Sequence, residues 1–184
     1  IGYAAANLAA VVDHRVDATV DIYSNLITNE MKAGVKYRIF RDPVLDGIPN
    51  VGWAALPSTI ENKSDQLARF SRAIVEASVF VRADPQAAAR IFLQSTNQKI
   101  TPELLANTTK NITALEGELP AANPTNTRIG LVSGAALARY STYLVQYGFE
   151  KEPVPASAIA TDRFIKYAND FDHKAVEALA HKMH

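Results

Sequence analysis

Cysteine is missing altogether from the 184 residues. That removes a disulfide framework, a thiolate zinc site and a cysteine nucleophile, and it suits the periplasm and the cytoplasm equally. No stretch approaches the ~20 apolar residues of a membrane span. An excess of either charge is missing too. Lys and Arg number 19 and Asp and Glu number 19, for a net charge of zero. Nucleic-acid binders usually carry a basic surplus, so that partner is not expected. The chain opens on Ile1-Gly2 without methionine, from which we expect either a processed N-terminus or a piece of something longer. What is present is apolar material: 48% of the residues are hydrophobic. That suffices for one domain with a real core, or for two small lobes.

Residues 2–12, "GYAAANLAAVV", are strong helix formers. In 16–22, Val16, Ala18, Val20 and Ile22 alternate with Asp17, Thr19 and Asp21, which is strand periodicity. Ser24 or Asn25 then suits the cap of a helix to about Ala33, stopped by Gly34. "VKYRIF", 35–40, alternates again, and "VGWAAL", 51–56, is an apolar run like a buried strand. Between them "RDPVLDGIPN" holds two prolines and a glycine and reads as loop.

After Pro57 the pattern turns helical. Ser58 stands three residues before Glu61, a capping-box spacing. Ser64 opens a main helix over 65–82, with Leu67, Phe70, Ile74, Ala77 and Val81 on one face. Asp84-Pro85 and Thr101-Pro102-Glu103 are cap-then-proline starts for helices to about Leu93 and Leu115. "LPAANPTN" is a loop, a helix is expected over 128–147 with Gly148 as its cap, and two further helical stretches close the chain.

Chemistry-bearing motifs are few. His181 and His184 are spaced i, i+3 on the last helix, but no carboxylate accompanies them, so no metal is expected. Asp13, Asp17 and Asp21 recur every fourth residue. The interleaved apolar residues make Asp17 and Asp21 solvated strand-face carboxylates rather than paired catalytic acids. Gly130 and Gly134 have close-packing spacing. The triplets at Asn62, Asn107 and Asn111 match the glycosylation pattern and occur readily by chance. Tyr23 and Trp53 stand nearest to strand ends, as core aromatics or as walls of a ligand pocket.

Three segments together resemble a known group. They are "LAAVVDHRVDATVDIYSN", "GWAALPSTIENKSDQLARFSRAIVEASVFVRADPQAAARIF" and "YSTYLVQYGFEKEPVPASAIATDRFIKYAN". In order and spacing they are similar to the C-terminal part of periplasmic substrate-binding proteins of ABC importers. The group includes sulfonate, taurine, nitrate and thiamine-pyrimidine binders. One departure is His14-Arg15, where the group has glycine before Val-Asp-Ala. The resemblance implies an α/β, type II periplasmic-binding-protein-like fold, present in part and helix-rich after residue 57. It divides the chain into 1–42 (remainder of a second lobe), 43–50 (interlobe crossover) and 51–184 (C-terminal part of the first lobe with terminal helices). It implies no enzyme and no cofactor. The partners it implies are a small anionic or heteroaromatic molecule and a membrane permease, outside the cytoplasmic membrane. A self-associated dimer, or a missing N-terminal segment, is expected to cover the 51–56 edge.

In open α/β sheets, ligands sit beyond the carboxyl ends of the strands. On that reading Tyr23, Ser24 and Asn25, at the end of strand 16–22 and the start of a helix, face a cleft between lobes. Their helix-start N–H groups suit an anion. Trp53 stands near the hinge or on the opposite lobe. The alternatives are a pyrimidine-synthesising enzyme of similar fold, which would need an active-site histidine, and the ligand-sensing module of a regulator. His14 falls on a helix-to-strand turn, away from the cleft.

Overall fold

The computed structural model describes residues 5–40, 52–118 and 128–183. Residues 2–4 of the first expected helix, the crossover at 43–50, Val51, the loop at 119–126 and His184 lie outside this description. Ten helices are formed among the described residues, and no strand. The expected α/β fold is therefore corrected to an all-helical one. The physical reason lies in what periodicity encodes. Alternation says which face of a strand would be buried, whereas a strand also needs a neighbour to take its N–H and C=O groups. Here 16–22, 35–40 and 52–56 are neither helical nor paired. No backbone hydrogen bond joins 17–20 or 52–55 to another of the described residues.

Two compact units are present. The first takes in residues 1–39, 79–121 and 174–184. It holds α1 (Ala5–Val12), α2 (Tyr23–Ala33), α5 (Pro85–Ser95) and α6 (Pro102–Glu118), and shares α4 (Ser64–Ala83) and α10 (His173–Lys182) with the second. α1 packs on α2, α2 on α6 and α6 on α5. Its central cluster is Ala89, Leu93 and Leu105, flanked by Ile100, Leu104 and Ile112. Thr28 donates a 2.8 Å hydrogen bond to Asn111 Oδ1, fixing α2 against α6. That bond gives Asn111 a structural role.

The helix starts follow from capping chemistry. Asp84 accepts from Ala87 N–H at 2.9 Å, with Pro85 at the first helical position. Thr101 Oγ1 accepts from Leu104 N–H at 3.1 Å ahead of α6. Both satisfy a donor that the first turn leaves without an intrahelical partner. Gly34, at φ 66°, closes α2 in the left-handed conformation that glycine adopts without strain.

The second unit takes in residues 40–78 and 122–173, with α3 (Pro57–Asn62), α7 (Gly134–Gln146), α8 (Ala156–Ile159) and α9 (Ile165–Asn169). α7 packs on α8. Ser141, 1% exposed, accepts from Val154 N–H at 2.6 Å and so seats the segment before α8. Asn169 holds Ile129 at two points, accepting from its N–H and donating to its carbonyl. α7 starts at Gly134, six residues later than expected, because Ser133 caps Ala136 N–H. Gly130 thus stands outside the helix, and the Gly130–Gly134 pair is not a helix-packing motif. The capping box at Ser58 is also not formed, since α3 begins at Pro57 after Leu56 with no side-chain cap.

Candidate functional site

α2 carries three of the four expected ligand contacts. Tyr23, Ser24 and Asn25 are its first three residues, and Ile22 is the residue before the helix, with no side-chain cap there. Ser24 and Asn25 therefore lie inside the first turn instead of capping it. Asp21 lies just before that turn without capping it. Its Oδ1 accepts from Ile22 N–H at 2.8 Å and from Asn25 Nδ2 at 2.8 Å. Its Oδ2 is buried and has no hydrogen-bond partner among the described residues. A carboxylate thus occupies the positive end of the α2 dipole, where an anion was expected. Asn25 commits one amide N–H to Asp21, which leaves its carbonyl oxygen and its second N–H to offer a ligand.

Downstream, α2 is tied to the segment that follows it. Glu30 is 8% exposed, and both its oxygens are engaged. One accepts from Lys36 Nζ at 2.6 Å and the other from Tyr37 N–H at 3.0 Å. Lys36 and the Tyr37 N–H hold the Glu30 carboxyl below its ordinary range, more than burial raises it. Burial, followed by the Glu30 charge, pushes the Tyr37 phenol up. The Tyr37 hydroxyl lies against Asn29 Oδ1 and the Leu8 carbonyl, joining α1 to α2. This network fixes the far end of the helix that carries Tyr23, Ser24 and Asn25.

Trp53 belongs to the second unit. It is 75% exposed and meets Phe70 of α4 edge-on, with ring centroids 5.0 Å apart. Leu56 beside it is 70% exposed. The core reading of Trp53 is therefore corrected: this is an open aromatic surface.

Two features escaped the sequence reading. Asp21 looked like one more solvated carboxylate, although an Asp immediately before a helix start is a recognisable signal. Arg72 gave no signal at all. Its guanidinium lies 3.8 Å from the Tyr167 ring centroid and donates to the Tyr167 and Asp170 carbonyls at the end of α9. Among the described residues no group of three metal-ligating side chains is assembled, and His184, the expected partner of His181, lies outside them. Among the same residues, no helix is long and apolar enough to cross a membrane. No family model matches the chain, and neither does any curated protein or solved structure.

Proposed function

We propose that this chain serves a solute-binding protein of an ABC importer, which captures a small organic molecule outside the cytoplasmic membrane and delivers it to a membrane permease. The observation that carries the reading is the order and spacing of the three resembling segments, above all "VRADPQAAARIF". The reading rests on those segments and not on a sheet. Asp21 narrows the ligand class. A carboxylate at the start of α2 repels an anion there, so the ligand is a neutral or cationic heteroaromatic. Such a ring offers N–H groups to the Asn25 carbonyl.

Native mass spectrometry of the protein drawn from its host tests this directly. A co-purifying molecule with the mass of a nitrogen heterocycle is expected. Replacing Ser24 and Asn25 together by alanine should cost about 1.5–3 kcal/mol of binding. Co-purification of a sulfonate or another anion would overturn the ligand class. Unchanged affinity in that double variant would remove Ser24 and Asn25 from the site.

A further inference from the structure

We draw no further inference here: the strongest candidate, the exposed apolar surface of Trp53, Leu56 and Phe70 beside the unpaired backbone of 52–55, is an unpartnered face and nothing in the structure shows what covers it.

Discussion

At the scale of single residues, Glu30 is buried in the first unit, paired with Lys36 and hydrogen-bonded through both oxygens. Its folded pKa is lowered, so the stability it contributes is present above its unfolded value and is lost as pH falls through the folded value. Glu30→Gln keeps the shape and removes the charge. In urea denaturation at neutral pH the variant should lose about 1.5–3 kcal/mol, as for a hydrogen bond to a charged group. At a pH below the folded value the two proteins should converge, and an undiminished gap there would contradict the assignment. His14 is a second case. It adopts φ 55° just after α1, where its N–H donates to the Val11 carbonyl. Left-handed backbone costs a side-chain-bearing residue roughly 1–2 kcal/mol. Glycine would remove that cost and add some unfolded-state entropy. His14→Gly should therefore raise stability by about 0.5–1 kcal/mol. A lower melting temperature would mean that the imidazole makes a compensating contact.

Among elements, what the sequence disclosed and what it hid divide along local and non-local lines. Helices α5 and α6 were legible because their start signals lie within three residues of the helix they begin. Asp84, Pro85 and Thr101 each act on the next turn. The segments at 16–22, 35–40 and 52–56 were misread because a strand is completed by a partner elsewhere in the chain, and period two is silent on whether one exists. The stripe on α4 failed more gently. Its spacing was right, but the deeply buried positions are Val75 and Val79, one face over from Phe70 and Ile74. Periodicity ranks faces by composition, while neighbours decide which face is covered. For the site, the position of Tyr23, Ser24 and Asn25 at a helix start was legible. The Asp21 carboxylate that fills that start was not recognised.

α9 shows the same non-local dependence in a form that can be measured. A helix of five residues has too few internal hydrogen bonds to persist alone. Arg72 supplies the missing hold from α4, through two carbonyls and a ring face. Arg72→Ala should destabilise the protein by about 2–3 kcal/mol, combining charged hydrogen bonds with a cation–π contact. Arg72→Lys should recover less than half, because an ammonium cannot span both carbonyls while lying flat on the ring. Full recovery by lysine would show that charge alone matters.

For the whole molecule, the question is where its apolar side chains go. Among the described residues, seven of the thirteen fully buried apolar residues are alanines, which bring little area each. Trp53, Leu56, Phe92 and Phe149 are meanwhile 75%, 70%, 51% and 73% exposed. Burying one Leu- or Phe-sized side chain is worth about 1.5–3 kcal/mol, so an association that covered several would outweigh ordinary side-chain ordering costs. An exposed apolar surface such as that of Trp53 and Phe70 marks an association site or an aggregation liability. If a second copy covers the 51–56 segment, as its apolar sequence leads us to expect, the isolated chain should give a light-scattering mass above 20.0 kDa and a melting temperature that rises with protein concentration. Replacing Trp53 and Leu56 with serine should shift the population toward monomer and leave the helical circular dichroism intact, since both residues lie outside helices. A monomer that persists as concentration is raised, with a fixed melting temperature, would show that these side chains are tolerated in water. Association unchanged in the double variant would move the interface away from the Trp53 surface, with the exposed face of α5 around Phe92 as the next place to mutate.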